Sequence, residues 1–277
     1  MTPRRLIEEL HSLYPEASRR SLKQWLTSSR VRVNGTVVVR GDVELEPGDR
    51  VELASPLPPP IPPPLRLVHE DDEILVIDKP SGLLTIATES ERERTAYRLL
   101  RNWFSHRGAR APHLFIVHRL DRETSGLLVF AKSVAAKEHL QAQFAVRTAE
   151  RLYVALAEGV MRQDEGSFVS RLVETRALRV RIAERGGGKE AITRYRVLER
   201  RRASTLVELQ LVTGRRAQIR AQLAAAGHPI AGDAQYGSRT DPLKRLALHA
   251  TRLAFVHPRG GRMSFESPPP AAFGHRA

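Results

Sequence analysis

The densest group of reactive side chains lies between two apolar runs. In order it reads His118-Arg119-Leu120-Asp121-Arg122-Glu123-Thr124-Ser125-Gly126-Leu127-Leu128. A polar turn between two buried strands is where a rigid scaffold presents reactive groups at the edge of a cleft. Asp121 is the carboxylate of this turn that could act as a nucleophile or a base. An aspartate in a turn also commonly caps backbone N–H groups, so both interpretations stay open on spacing alone.

Several common catalytic and cofactor motifs are missing from the sequence. No GxGxxG is present, and residues 186–189 (GGGK) run into Glu190 without the earlier glycine of a phosphate-binding P-loop. The histidines form no HExxH, and His113 and His118 have no carboxylate at metal-ligand spacing. The absence of cysteine excludes disulfides, thiolate nucleophiles and cysteine-based metal sites. We therefore expect a reaction carried out by oxygen and nitrogen side chains, with no metal and no cofactor.

The chain is strongly basic, with 45 Lys and Arg against 31 Asp and Glu and a formal charge of +14. A general preference for arginine could raise the total without specifying a ligand. The charge is nevertheless concentrated, because residues 1–40 carry 8 basic and 3 acidic side chains and residues 171–220 carry 14 and 5. Clustered cations release counterions from a phosphate backbone, so this distribution favours a nucleic acid as partner.

Length and hydropathy limit the class further. With 277 residues and 41% hydrophobic side chains, the chain can bury a sizeable core. No apolar run approaches the roughly 18 to 20 residues of a membrane span, and the first residues, MTPRRLIEEL, lack the apolar stretch of a signal peptide. We expect a cytoplasmic, monomeric protein with no membrane partner.

A proline-rich run divides the sequence. Residues 55–64, SPLPPPIPPP, contain seven prolines, which favours a stiff polyproline II spacer. The sequence therefore predicts a small domain over residues 1–54, a linker over 55–64 and a larger domain over 65–277.

The small domain shows two helical patterns and a hairpin. Apolar spacing predicts a first helix with Leu6, Leu10 and Leu13 on one face, and Ser18 can cap a second. Asn34-Gly35 between two β-prone runs is a strong hairpin signal. A basic cluster surrounds the second helix and the hairpin, and it fits RNA contact and a solvated helix face equally well: Arg19, Arg20, Lys23, Arg30 and Arg32.

The larger domain mixes strand and helix patterns. Predicted strands include 74–78, 127–131, 152–157, 192–197 and 206–212, and helical spacing covers the residues around 99–104 and 136–144. These patterns indicate an α+β fold with a mixed, largely antiparallel sheet and flanking helices, because repeated βαβ units are not apparent.

The turn around Asp121 also belongs to a longer string. Residues 118–132 resemble the HRLDxxTSGLLLxAK signature of the RluA and RluD type of pseudouridine synthases. The resemblance extends over about residues 66–270, through segments in the family's order: Lys79-Pro80-Ser81-Gly82, residues 150–156 (ERLYVAL), residues 213–220 (TGRRAQIR), Gly232-Asp233 and Leu248-His249-Ala250. Residues 2–54 resemble the small RNA-binding domain named for ribosomal protein S-four.

The resemblance implies an enzyme that converts uridine in RNA to pseudouridine in a central RNA cleft, without a cofactor. It assigns the catalytic carboxylate to Asp121, with Arg220 holding it ionised. Tyr153 would lie on the uracil and relay a proton, although a tyrosine is a poor base unless its site lowers its pKa. Arg119 would fill the gap left by the extruded uridine. Ile219 would pack against the base, or equally well in the core, and Arg215 would contact RNA.

Two departures from the family pattern concern RNA contacts. Arg216-Ala217 replace the usual Thr-His, and Val154 stands where lysine is common, whereas Asp121, Tyr153 and Arg220 are retained.

The S-four-type domain favours ribosomal RNA of the large subunit over transfer RNA. The alternative from another class is a noncatalytic RNA-binding or ribosome-assembly factor that keeps the fold. A phosphoryl-transfer enzyme is disfavoured, because Glu123 stands where a second aspartate is needed.

Overall fold

The computed structural model describes residues 4–27, 29–54, 60–89, 91–105, 113–175, 179–183 and 186–274. The chain divides into two compact units, Met1–Pro59 and Pro60–Ala277. The division falls inside the predicted linker, of which residues 55–59 lie outside the described part of the chain. Ile61, in the second half of that run, packs against the core of the second unit.

The first unit is a small α+β fold. Its elements are β1 (Arg4–Arg5), α1 (Leu6–Leu13), α2 (Arg19–Thr27), β2 (Val31–Val33), β3 (Thr36–Val37), β4 (Glu44–Leu45) and β5 (Val51–Leu53). The predicted cap is confirmed, because Ser18 Oγ accepts a hydrogen bond from the Ser21 N–H at 3.1 Å. The hairpin is confirmed too: Asn34 and Gly35 have φ of 50° and 80° between β2 and β3. The inward placement of Leu13 is wrong, since this residue is 47% exposed where α1 ends.

The second unit holds the remaining elements. They are β6 (Arg66–Glu70), β7 (Ile74–Lys79), α3 (Ala96–Ser105), β8 (Phe115–Ile116), β9 (Ser125–Ala131), α4 (Val134–Ala145), β10 (Glu150–Glu158), β11 (Glu165–Glu174), β12 (Val180–Ile182), β13 (Lys189–Arg200), β14 (Ser204–Leu211), α5 (Gln218–Ala225), β15 (Leu248–Val256) and β16 (Arg262–Glu266). Short 3₁₀ turns cover Ala234–Tyr236 and Ala271–Phe273. None of the helices in the described ranges is long and apolar enough to cross a membrane.

One large sheet organises the second unit. Its described strands number eleven and run in the order β12-β11-β13-β14-β10-β15-β9-β7-β6, with β16 added to β15 and β8 to β9. Neighbouring strands are antiparallel except β9 and β15, which pair in parallel at Ser125 with His249 and at Gly126 with Ala250. The predicted α+β class with a mixed, largely antiparallel sheet is confirmed.

The strands next to the reactive turn are buried on both faces. In β7, Leu75 and Ile77 pack with Trp103 and Phe104 of α3. The alternate residues Ile74 and Val76 pack on the opposite face with Ala136 and Leu140 of α4. Successive side chains of a strand point to opposite faces of the sheet, so one continuous apolar run contributes to the cores on both faces. Strand β9, which follows the reactive turn, divides in the same way, with Leu128 in the first core and Leu127 in the second.

The parallel pairing of β9 with β15 leaves no room for a side chain at position 126. Gly126 has φ of 112°, a conformation that L-residues rarely adopt. A Cβ built on it would overlap the backbone of Ala250 on β15. The close approach of β9 to β15 thus depends on this glycine.

Candidate active site

A cleft of about 480 Å³ opens where three segments of the second unit meet. The turn before β9 contributes Arg119 and Asp121, strand β10 contributes Tyr153, and the turn into α5 contributes Ile219 and Arg220. The structure thus brings together the residues that the sequence predicted for one site, although they lie about a hundred positions apart in the chain.

The segment after β7 fixes the backbone of the Asp121 turn. Thr85 is bonded twice to Leu120: its Oγ1 donates to the carbonyl oxygen at 2.8 Å and accepts from the N–H at 3.1 Å. Lys79 Nζ donates to the carbonyl oxygen of Arg122 at 3.1 Å, and the Gly82 N–H donates to the same oxygen at 2.9 Å. The motif around Lys79 therefore acts as a support for the reactive turn.

Lys79 is fully buried, which is unusual for a lysine. Its ammonium donates to the carbonyl oxygens of Pro80 at 2.9 Å and Leu83 at 2.7 Å in addition to that of Arg122. Burial lowers the pKa of Lys79 to about 7, while the carboxylates of Glu123 and Asp121 act in the opposite direction. The three carbonyl oxygens are the partners that make this burial tolerable.

The Asp121 carboxylate faces the cleft. Its side chain is 23% exposed, and Arg220 Nη1 lies 3.5 Å from its Oδ2. Among the described residues, no backbone N–H donates to this carboxylate, whereas the Asp121 carbonyl oxygen accepts from the Thr124 N–H at 3.2 Å. The backbone of Asp121 thus closes the turn, and its side chain is left for another role.

Arg220 joins two carboxylates. Its Nε and Nη2 each lie 2.7 Å from an oxygen of Asp233 in a bidentate pair, and Nη2 also donates to Gln235 Oε1 at 3.0 Å. Its guanidinium lies 4.8 Å from the ring centre of Tyr236. Burial lowers the pKa of Arg220, but the partner Asp233 outweighs burial and the pKa is raised overall. Asp233 therefore holds the guanidinium in place beside Asp121.

Tyr153 is buried in the middle of β10 and lines the cleft. Burial raises the pKa of its phenol to about 12; the Arg151 guanidinium opposes this shift and the Asp121 carboxylate adds to it. The site does not provide the lowered pKa that a tyrosine base would need. At neutral pH Tyr153 is a phenol that can donate a proton or a hydrogen bond.

Tyr153 should ionise only at a pH well above the usual pKa of a tyrosine. In a titration followed by phenolate absorbance, the difference between wild type and Tyr153→Phe should appear only well above pH 10, because the folded state favours the neutral phenol. The pKa is higher in the folded state than in the unfolded state. The contribution of the neutral Tyr153 phenol to the free energy of unfolding is therefore complete below pH 10 and is lost as the pH rises towards 12. A Tyr153 signal near pH 8 would contradict this assignment.

The other predicted contact residues occupy different places. Arg119 is exposed at the rim of the cleft next to Asp121. Ile219 is 4% exposed and belongs both to the cleft lining and to the main core. Arg215 is exposed, and its Nε donates to the carbonyl oxygen of Glu190 at 3.0 Å. The replacement residue Arg216 forms an ion pair with Glu174 at the same rim.

In the first unit, four of the five predicted basic residues are exposed: Arg19, Arg20, Lys23 and Arg32. Arg30 differs from them. Its Nε donates to the carbonyl oxygen of Ala54 at 2.9 Å, and its guanidinium lies 5.5 Å from the ring centre of Trp25. Arg30 thus supports the unit itself.

Sequence reasoning missed two residues that hold the site together. Asp233 looks like an ordinary turn residue in the sequence, although Gly232-Asp233 is one of the segments that resemble the family. Gln218 is buried, and its Oε1 accepts from Thr213 Oγ1 at 2.7 Å and from the Arg215 N–H at 3.0 Å. Its Nε2 donates to the carbonyl oxygen of Ile192 at 3.0 Å. Gln218 therefore ties the turn before α5 to strand β13.

The cleft is strongly positive. Its lining contains the carboxylate of Asp121 and six guanidinium groups: Arg119, Arg147, Arg151, Arg215, Arg216 and Arg220. Within the described ranges, no group of three or more His, Asp or Glu side chains could hold a metal ion. A positive cleft around a carboxylate suits a polyanionic substrate on which the carboxylate acts.

Residues 73–225 match the RNA pseudouridylate synthase family, and the chain belongs to this family. It is therefore an RNA pseudouridine synthase. The ribosomal large subunit pseudouridine synthase D of Haemophilus ducreyi is 35% identical over 97% of this chain and 88% of that protein. An uncharacterized RNA pseudouridine synthase of Bacillus subtilis is 35% identical over 96% of this chain and 90% of its own length.

The fold is also shared with a solved structure. Human RNA pseudouridylate synthase domain containing 4 superposes with a TM-score of 0.63 and 26% identity, covering 76% of this chain and 90% of the human chain. The prediction of an RluA and RluD type synthase is thereby confirmed.

Proposed function

We propose that this pseudouridine synthase modifies uridine in ribosomal RNA of the large subunit. Several relatives of about 35% identity carry that substrate in their names, and they match nearly the whole chain, including the first unit. The observation that carries the catalytic part of the proposal is the Asp121 carboxylate, which lies 3.5 Å from Arg220 in a cleft lined by guanidinium groups. Such a protein would act in the cytoplasm as a monomer.

The proposed reaction needs no net oxidation and no energy input. The N1–C1′ bond of uridine breaks, the uracil rotates, a C5–C1′ bond forms, and the C5 proton is replaced by a proton on N1. Asp121 acts at the sugar, either as a nucleophile on C1′ or as a base. Arg220 supports the ionised carboxylate. The Tyr153 phenol lies against the uracil and is neutral. It can take part in proton transfer only if a second group accepts the phenol proton.

The substrate contacts follow from position. The uridine must leave its base stack to reach Asp121, and Arg119, exposed at the rim, fills the space left behind. Ile219 offers an apolar surface to the base on the side opposite Tyr153. Arg215, an exposed residue of the cleft lining, contacts the RNA backbone.

The first unit adds a second RNA contact. We assign this role to its exposed basic residues Arg19, Arg20, Lys23 and Arg32, which lie on or near α2 and the following hairpin. Two binding units on one chain gain affinity because the second contact is intramolecular. Loss of this surface should weaken RNA binding more than it slows the chemical step.

Binding to RNA weakens as salt rises, and the logarithm of the binding constant falls linearly with the logarithm of the salt concentration. Each lost phosphate contact reduces the magnitude of this slope by about 0.7 to 0.9, so changing these four residues to glutamine should reduce it by about 3. Turnover at saturating RNA should change little. The matched control is Arg40→Gln with Arg50→Gln, which neutralises exposed arginines of the same unit that pair with Asp42 and Glu52. If the slope is equal in both variants, the cluster is only a solvated face.

The substrate is tested by mapping pseudouridine in total RNA from cells with and without the gene. Loss of one or more large-subunit positions supports the proposal, and their return on re-expression, but not with Asp121→Asn, ties them to this site. Loss confined to transfer RNA would overturn the substrate. An unchanged map would favour a noncatalytic RNA-binding role.

A further inference from the structure

Arg151 is a buried cation for which the described residues supply too few partners. It lies on β10, two positions before Tyr153, and is 8% exposed. Its Nη2 has one long hydrogen bond of 3.4 Å, to the carbonyl oxygen of Leu211. Its Nε is buried without a hydrogen-bond partner. No carboxylate of the described ranges lies within ion-pair distance of its guanidinium.

Three of the other five arginines of the cleft lining are compensated by carboxylates, and the remaining two, Arg119 and Arg215, are exposed to solvent. Arg220 pairs with Asp233, Arg216 with Glu174 and Arg147 with Glu190. A guanidinium taken out of water without a counter-charge is strongly unfavourable, so such a group is normally paired. Arg151 departs from this pattern although it is buried.

The surroundings hold the Arg151 guanidinium in place without neutralising it. It lies 5.3 Å from the ring centre of Phe144, and a side chain at Gly214 would overlap its Nη1. His118 stacks on the same phenylalanine, with ring centres 4.8 Å apart. Burial, together with the charge of Arg151, lowers the pKa of His118 to about 3, so this histidine is neutral. His118 thus adds no charge beside the Arg151 guanidinium.

We propose that Arg151 binds a phosphate group of the RNA, namely a phosphodiester flanking the extruded uridine. A phosphate supplies the full negative charge that a neutral uracil cannot, and its oxygens suit the donors of a guanidinium. Arg151 and Tyr153 line the cleft from one strand, so one nucleotide can present its base to Tyr153 and its phosphate to Arg151.

The inference rests on the proposed function only for the choice of RNA. The experiment uses a short synthetic hairpin that contains a uridine mapped as above. In matched hairpins, a single methylphosphonate replaces one phosphate at a time, which removes that charge and changes little else. Dissociation constants are measured for the full-length protein and its variants by fluorescence anisotropy, and turnover of the unmodified hairpin by wild type independently tests the proposed function.

For wild type, one methylphosphonate next to the target uridine should weaken binding about 10-fold or more, the range of a hydrogen bond to a charged group. Arg151→Met should bind the unmodified hairpin about as weakly as wild type binds the methylphosphonate hairpin. In this variant the same methylphosphonate should have no further effect on binding. Arg151→Lys should retain part of the sensitivity, because it keeps the charge without the planar donors. The control Arg196→Met, an exposed arginine paired with Glu208, should keep the full wild-type sensitivity.

Gly214→Ala provides a second variant in which every charge is retained. The added methyl group would push the flexible end of Arg151 from its position, so methylphosphonate sensitivity should also fall. The inference is overturned if the effects of Arg151→Met and methylphosphonate are additive at every position, since Arg151 would then act only within the fold. It is equally overturned if Arg151→Met binds the unmodified hairpin as tightly as wild type.

Discussion

Asp121→Asn should fold, bind RNA and form no pseudouridine. The amide keeps the size of the side chain but has neither the charge nor the nucleophilic oxygen of the carboxylate. Since no described backbone N–H depends on this carboxylate, its loss should disturb the turn little. Turnover should fall at least about 10⁴-fold, the scale seen when a group that performs the chemistry is removed.

The measurement is tritium release or mass-spectrometric detection of pseudouridine in RNA incubated with the pure variant. Asp121→Ala guards against slow conversion of the asparagine back to aspartate. The matched control is Asp72→Asn, which neutralises an exposed carboxylate outside the cleft and should keep wild-type turnover. Substantial turnover by both Asp121 variants would remove Asp121 from the reaction.

Arg220→Ala should cost both activity and stability. The substitution takes the nearby cation from Asp121 and leaves the Asp233 carboxylate, which is only 3% exposed, without its bidentate partner. Removing one member of a buried ion pair typically lowers the free energy of unfolding by about 3 to 5 kcal/mol. Turnover should fall by about 10² to 10³, as for other lost electrostatic contacts in active sites.

A double variant separates the two effects. Arg220→Ala with Asp233→Asn removes the stranded charge, so thermal or denaturant unfolding should return much of the lost stability. Turnover should stay low, because Asp121 still lacks its cation. If the double variant also regains turnover, Arg220 acts only through the fold, and the proposed electrostatic support of Asp121 is wrong.

The sequence predicted those parts of the site that local strings encode. The turn containing Asp121 and the segment ending in Arg220 are continuous motifs, and the apolar runs of β7 and β9 predicted buried strands directly. Their assembly into one cleft followed from the family resemblance, because neither spacing nor composition reports which distant segments become neighbours. The alternation of β7 between two cores is likewise visible only once both covering helices are in place.

What the sequence could not predict depends on tertiary partners. Asp233 reads as a turn residue until Arg220 is found beside it, and the basic cluster gives no sign that Arg30 is bonded to Ala54. The upward pKa shift of Tyr153 comes from burial, which a motif does not report. The alternation patterns do not predict strands β11, β12, β15 and β16, and Leu248-His249-Ala250 of β15 stands out in the sequence only as part of the family's string.

The position of β15 has a consequence for the order of events during synthesis. This strand is made after β9, β10 and α5, yet it lies between β10, which carries Tyr153, and β9, which follows Asp121. A nascent chain that ends before Leu248 lacks the link through which these two parts of the described sheet are joined. Pairing of Ser125 with His249 closes a very long loop, a step that is slow compared with local folding. Catalytic competence should therefore arise only after β15 has left the ribosome, however early the small first unit folds.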